Sequence, residues 1–109
     1  MTDRVSQHIA AFNDSIETGD WAPFAQRFTA EATMRFVGVP AGPFRGREAI
    51  AAAYLAQPPT ETMSVGSVQS SGDVDAVAFR WESGGTGTMT LTWDGDLVAE
   101  LVVAFDTVE

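Results

Sequence analysis

Val5, Ile9, Phe12 and Ile16 recur at the 4, 3, 4 spacing of one helical stripe, and Asp3, Arg4, Asn13, Asp14 and Glu17 fall mostly outside its centre. The pattern predicts an amphipathic helix over about residues 3 to 18, with Thr2 as a fair N-cap and Gly19 free to take the left-handed conformation that ends it. Asp20 is placed to accept from the exposed N–H groups of a following turn and to meet the positive end of its dipole. Pro23 is tolerated in that turn because no backbone donor is needed there. A second helix is therefore expected from about Trp21 to Phe28, with Trp21, Phe24 and Phe28 as its buried edge.

The period then changes. Met34 and Phe36 alternate with Arg35 across Thr33 to Val37, as a half-buried strand requires, and Gly38, Pro40, Gly42 and Pro43 cannot continue it. Gly46 can cap a third helix from Arg47 to about Ala56, with Ile50 and Tyr54 one turn apart on its inner face, and Pro58-Pro59 forbids more. Beyond it, turn signals at Ser71-Gly72, Ser83-Gly84-Gly85 and Asp94-Gly95 divide the chain into four strands of a meander, at about residues 62 to 70, 74 to 82, 86 to 93 and 97 to 106. Val77, Phe79 and Trp81 alternate with Ala78, Arg80 and Glu82. Gly87, Met89, Leu91 and Trp93 alternate with Thr86, Thr88, Thr90 and Thr92, so one face is apolar and the other is not.

The hairpin at Asp94-Gly95 decides which side chains share the apolar face. A two-residue turn pairs Trp93 with Asp96 and sets Met89 opposite Glu100, bringing a carboxylate inside. A three-residue loop with Gly95 left-handed pairs Thr92 with Asp96 and Met89 with Ala99. Leu97, Ala99, Leu101, Val103 and Phe105 then join the apolar face, and Val98, Glu100, Val102 and Ala104 join the threonines. Burying an unpartnered carboxylate costs several kcal/mol, so the second register is favoured and Glu100 is expected to face outward. The outer face, a threonine row beside short apolar side chains, is expected to form a two-fold interface; the plainer alternative is a mixed surface with a few valines.

The order of two helices around Gly19-Asp20-Trp21, then Phe24, Phe28, Glu31-Ala-Thr33 and Gly46-Arg-Glu-Ala-Ile50, followed by four strands, resembles the SnoaL-like branch of the NTF2-like superfamily over almost the whole chain. The resemblance implies an α+β fold, a conical barrel of three N-terminal helices packed on a curved, mainly antiparallel sheet around an apolar pocket. It also supplies a test. Ketosteroid isomerase, a catalytic member of that superfamily, pairs a carboxylate base with an oxyanion hole of a tyrosine and a protonated aspartate. The positions that the resemblance assigns to these roles hold Phe12 for the tyrosine, Phe36 for the base and Met89 for the protonated aspartate. All three roles are vacant, and only a supporting tyrosine on the third helix has a match, at Tyr54. The aspartate, arginine, aspartate set of the limonene epoxide hydrolase branch has no counterpart either.

Composition narrows the partners. The 109 residues suffice for a single domain, residues 1–109, with one core and a small pocket. Six arginines, no lysine and fifteen carboxylates give a formal charge of −9, which repels phosphate backbones and anionic membrane surfaces, so no nucleic-acid or membrane partner is expected. Without cysteine there is no thiolate nucleophile or zinc-thiolate site, and with one histidine no protein metal site or cofactor is expected. No apolar run reaches signal-peptide or membrane-spanning length, and a cytoplasmic location is the expectation that remains.

Few residues are left to carry chemistry. His8, four residues before Phe12, either reaches the pocket mouth, where it would titrate near neutrality, or is a surface histidine in the first turns of a helix, the plainer expectation. Tyr54 either donates to a bound carbonyl or is a core aromatic. Asp20 is expected to be a helix cap and nothing more. Phe12, Ile16, Met34, Phe36, Tyr54, Phe79, Met89 and Leu91 are expected to line a pocket for a small hydrophobic, carbonyl-bearing molecule. The use is an isomerase- or cyclase-type reaction, with Tyr54 as donor and His8 as base, or ligand binding without catalysis, or, with the pocket filled as core, dimerisation alone; a homodimer through the sheet is expected in each case.

Overall fold

The computed structural model describes residues 4–38, 42–56 and 59–105. Thr2, Pro40 and Pro58, which bear on the expected cap and chain breaks, lie outside the described residues. Helix α1 spans Arg4–Thr18 and buries Val5, His8, Ile9, Phe12 and Ser15. Gly19, at φ 78°, ends it by donating to the Ser15 carbonyl at 2.8 Å.

The second helix is shorter than its apolar spacing predicts. α2 covers only Ala22–Ala25, and β1 begins already at Phe28 and runs to Val37. The reason lies in the backbone bonds. The Arg27 N–H folds back to the Phe24 carbonyl at 3.0 Å, three residues away, and the Arg27 carbonyl accepts from Val98 N–H at 2.8 Å. Sheet pairing thus captures the chain where a further helical turn would have formed. Asp20 also sits one residue further out than a cap: Trp21 takes the capping position without a side-chain bond, while Asp20 Oδ1 accepts the Ala22 N–H at 3.1 Å.

A short strand β2, Phe44–Arg45, pairs antiparallel with β1, an element that the sequence pattern did not announce. Gly46, at φ 93°, donates to the Ala32 carbonyl at 2.7 Å, and its own carbonyl receives the first helical bond of α3, Arg47–Ala56. Arg47 then ties that helix to β1 with both Nε and a terminal nitrogen on the Phe28 carbonyl, at 3.0 and 2.7 Å. The meander follows as β3 Met63–Ser71, β4 Val74–Trp81, β5 Thr86–Asp94 and β6 Leu97–Phe105. The six strands form one sheet in the order β2-β1-β6-β5-β4-β3, parallel at β1 and β6 and antiparallel elsewhere, open at both edges.

The β5–β6 hairpin follows neither expected register. Asp94 pairs with Leu97 and Trp93 with Val98 around a two-residue turn, and a bulge at Ala99 then sets Thr92 opposite Glu100 and Met89 opposite Val103. The extra residue restores the parity that buries Leu101 and Val103 and leaves Glu100 exposed among the threonines. Before the bulge the faces are reversed from expectation: Val98 is fully buried beside Trp93, and Leu97 is only half-buried. The helices cover the inner face, where Trp21, Phe24, Phe28, Ile50 and Leu91 are among the most deeply buried side chains of the core. Among the described residues no helix is long and apolar enough to cross a membrane.

Candidate functional site

The inner faces do not close completely. Between α1, α3 and the strand ends lies a cavity of about 320 Å3. Its deeper wall is Phe12, Phe24, Met34, Phe79, Met89 and Leu101, all nearly inaccessible to solvent. Towards its mouth stand the half-buried Phe44, Ala53, Pro59 and Trp81, with Phe36 stacked on the more exposed Phe105 at a centroid distance of 6.1 Å and an angle of 4°. Rings and thioethers thus supply most of the lining. An occupant would meet polarisable apolar surface and edge-to-face aromatic geometry.

Of the eight side chains expected to line a pocket, Phe12, Met34, Phe36, Tyr54, Phe79 and Met89 do line this cavity. Ile16 and Leu91 do not. Ile16 lies a full turn beyond Phe12, half-buried at the end of the helix, and Leu91 packs fully buried in the core. Phe12 and Met89 in the deeper wall and Phe36 towards the mouth, the positions to which the resemblance assigns the tyrosine, acid and base of ketosteroid isomerase, all line the cavity as apolar side chains. Among the described residues, no group of three His, Asp or Glu side chains is placed to hold a metal ion.

Two polar side chains remain at the wall. Tyr54 stacks on Trp21 at 4.7 Å and 14° and packs edge-on against Phe24 at 5.2 Å. Burial pushes its phenol pKa far up, so the hydroxyl stays protonated and acts only as a neutral hydrogen-bonding group.

His8 overturns the expectation of a surface histidine. It is 2 % exposed, lines the cavity, and stands 5.0 Å from the Phe24 ring, 5.8 Å from Phe28 and 6.3 Å from Trp93. Burial, and then the nearby Arg27 charge, lower its pKa from 6.5 to about 3. It does not titrate near neutrality, and its weak basicity removes it as a strong proton acceptor. Its Nδ1 is buried without a hydrogen-bond partner among the described residues, and the same holds for Arg27 Nε. The helical spacing contained the signal: His8 falls three residues after Val5 and four before Phe12, at the centre of the apolar stripe.

A second buried ionisable residue was missed. Asp75 is in phase with Val77, Phe79 and Trp81 on β4, and the strand alternation puts it inside at 3 % exposure. Its Oδ2 accepts from Trp93 Nε1 at 2.9 Å and from Arg4 Nε at 3.2 Å, while the Arg4 guanidinium lies 5.0 Å above the Trp93 ring. Burial alone raises the carboxyl pKa, but hydrogen bonds from Ser70, Arg4 and Trp93 and the Arg4 charge outweigh it, and the net shift is downward. This cluster pins the start of α1 to the sheet; Asp75 is not among the residues lining the aromatic cavity.

The sequence profile of the SnoaL-like domain matches residues 5–107. A SnoaL-like protein of unknown function from Burkholderia thailandensis superposes with a TM-score of 0.76 at 14% identity, over 98% of each chain. An NTF2-like protein from Anabaena variabilis gives 0.75 at 20% identity, over 99% of this chain and 96% of the other. A Kribbella flavida protein provisionally named a ketosteroid isomerase gives 0.76 at 15% identity, over 99% of this chain and 82% of its own. At these identities the likeness is one of fold. No curated protein matches the sequence.

Proposed function

We propose, from the premise that this chain belongs to the family of SnoaL-like domains, that its cavity binds a small, uncharged, largely aromatic or alicyclic molecule. The observation that carries the reading is the lining itself: about 320 Å3 of space walled by aromatic and sulfur-bearing side chains, where no ionised group is among the lining residues. At the density of protein interiors, about 0.75, an occupant of about 240 Å3 would fill it, the size of about three or four fused rings. Contact with the wall would stabilise it by roughly 25 cal/mol per Å2 of apolar surface removed from water. A carboxylate or ammonium would lose its hydration there without gaining an oppositely charged partner.

Binding without catalysis is the reading favoured over an isomerase- or cyclase-type reaction. Proton abstraction from carbon needs a base, and Phe36 replaces the carboxylate while His8 binds protons only near pH 3. Tyr54, buried and stacked on Trp21, is left with the plainer role of a core aromatic. Melting of the protein against a panel of naphthalenes, tetralones and enones, with product analysis, tests both points. A rise in melting temperature without turnover is expected. If none of the panel raises it, the cavity is not a binding site; turnover that falls in the Tyr54→Phe, His8→Ala double variant would restore the enzymatic reading.

A homodimer through the outer face of the sheet is the second part of the proposal. Ala76, Ala78, Thr90, Thr92, Val102 and Ala104 present short, half-buried side chains there, over which a second sheet could approach closely. Light scattering is expected to give twice the chain mass at micromolar concentration, and a monomer would remove this part.

A further inference from the structure

Shape and apolarity do not account for His8. An imidazole at the centre of an apolar helix stripe costs free energy relative to leucine unless its nitrogens are satisfied, and Nδ1 is sealed with no partner among the described residues. Phe24, Phe28 and Trp93 stand around the ring, and the side chain lines the cavity. In neutral imidazole one nitrogen carries the proton and the other a lone pair. A sealed N–H without an acceptor is the rarer and costlier arrangement, so the lone pair belongs on Nδ1 and the proton on Nε2.

We propose that His8 sets the chemical selectivity of the cavity: its Nε2–H is the donor that meets the occupant, so the site prefers uncharged molecules bearing a hydrogen-bond acceptor, such as a ketone, ester or ether oxygen, over hydrocarbons and over carboxylates of the same skeleton. This rests on the binding reading above and adds the polar group that the ligand must carry. The preference over hydrocarbons follows because an acceptor satisfies a buried donor that a hydrocarbon leaves unpaired. The preference over carboxylates follows because an anion calls for a cation. Burial and the Arg27 charge keep the His8 ring uncharged at neutral pH. Arg27 itself is directed elsewhere, its terminal nitrogen donating to Gln7 Oε1 at 3.2 Å.

Naphthalene, 2-acetylnaphthalene and 2-naphthoate share one ring system and separate the three cases. Calorimetric titration of the wild-type protein is expected to show the ketone binding about three- to tenfold more tightly than the hydrocarbon, the range of one neutral hydrogen bond, with the carboxylate weakest. His8→Leu should erase the preference for the ketone while still binding naphthalene, and His8→Gln, which keeps an N–H donor, should restore part of it. In 15N spectra of the wild-type imidazole the proton should reside on Nε2, and that nitrogen should shift on adding the ketone but not the hydrocarbon. Binding of none of the three overturns the binding reading itself. A ketone preference that survives in His8→Leu overturns the role of His8 alone, as does equal binding of ketone and hydrocarbon to wild type. A proton found on Nδ1 overturns it too, independently of whether either variant folds.

Discussion

Acidification from pH 8 to pH 5 is expected to destabilise the fold by about 2 kcal/mol through His8. In the unfolded chain the imidazole takes up a proton near pH 6.5, whereas in the folded protein burial and Arg27 hold it off until about pH 3. The sign follows from proton counts: between these values the unfolded state binds more protons than the folded one, so stability falls as pH falls. Above pH 6.5 both states are neutral and the contribution is flat. Below it the loss approaches about 1.4 kcal/mol per pH unit, giving about 2 kcal/mol at pH 5 and about 3 at pH 4. Because the ring is 2 % exposed, solvent screening does not reduce this much.

Other groups leave the window from pH 5 to 6.5 comparatively clear. Asp75 and Glu61 have folded pKa values below their usual 3.8 and 4.5, so their stabilisation is present above those values and lost only as pH drops below them. The net charge of −9 works in the opposite sense, since protonating carboxylates relieves repulsion. That effect is common to wild type and a His8→Leu variant and cancels in their difference. Urea unfolding followed by tryptophan fluorescence at pH 8, 6.5 and 5 for both proteins therefore isolates the imidazole. The wild-type midpoint should fall relative to the variant between pH 6.5 and 5, and the two should run parallel above pH 7. Parallel curves over the whole range would mean that the ring is hydrated or paired in the folded state, and the reasoning would fail.

Substitutions at three further positions probe the rest of the inner face. A Cβ on Gly87 would lie 2.6 Å from Phe79 Cζ and 2.7 Å from the Ala104 carbonyl oxygen; the ring can shift but the neighbouring strand cannot, so Gly87→Ala should destabilise by about 1–3 kcal/mol, read as a lowered thermal midpoint. Asp75→Ala strands the buried Trp93 Nε1–H and should cost about 2–3 kcal/mol in chemical denaturation, whereas Asp75→Asn keeps an acceptor and should cost roughly half as much. Equal losses would show that charge, not the hydrogen bond, holds that corner. Ala53→Leu adds bulk at the cavity mouth from α3 and should abolish naphthalene binding with little change in stability, since it fills space instead of opening it.

Much of this architecture was legible because it follows from local periods. α1 and α3 were set by stripes bounded by Gly19 and Gly46, and the strands of the meander by alternation between glycine-containing turns. What failed was decided at long range. Trp21, Phe24 and Phe28 keep helical spacing, yet Val98 takes the Arg27 carbonyl and pulls Phe28 into the sheet. The Ala99 bulge is likewise invisible to a two-fold alternation, which reads Leu97 and Ala99 as inward and Val98 as outward. The desolvation argument for Glu100 nevertheless reached the right face, because the cost of burying a charge does not depend on which backbone device avoids it.

The site was less legible, because both buried ionisable residues were masked by prior expectation about their type. His8 and Asp75 each occupy a position whose period is apolar, and periodicity alone places both inside. Their surroundings then separate them. Asp75 finds donors in Ser70, Trp93 and Arg4, remains ionised, and is consumed in fastening α1 to the sheet. His8 has a sealed Nδ1, three aromatic neighbours and an adjoining cavity, and it remains neutral. A buried polar group whose bonds are complete within the fold accounts for itself through stability. One left incomplete lowers stability, and under the proposal above a molecule that accepts from Nε2–H offsets part of that cost while Nδ1 stays sealed. The asymmetry between these two residues, more than the cavity volume, is why the binding chemistry proposed for this domain rests on His8 of the helix and not on Asp75 of the strand.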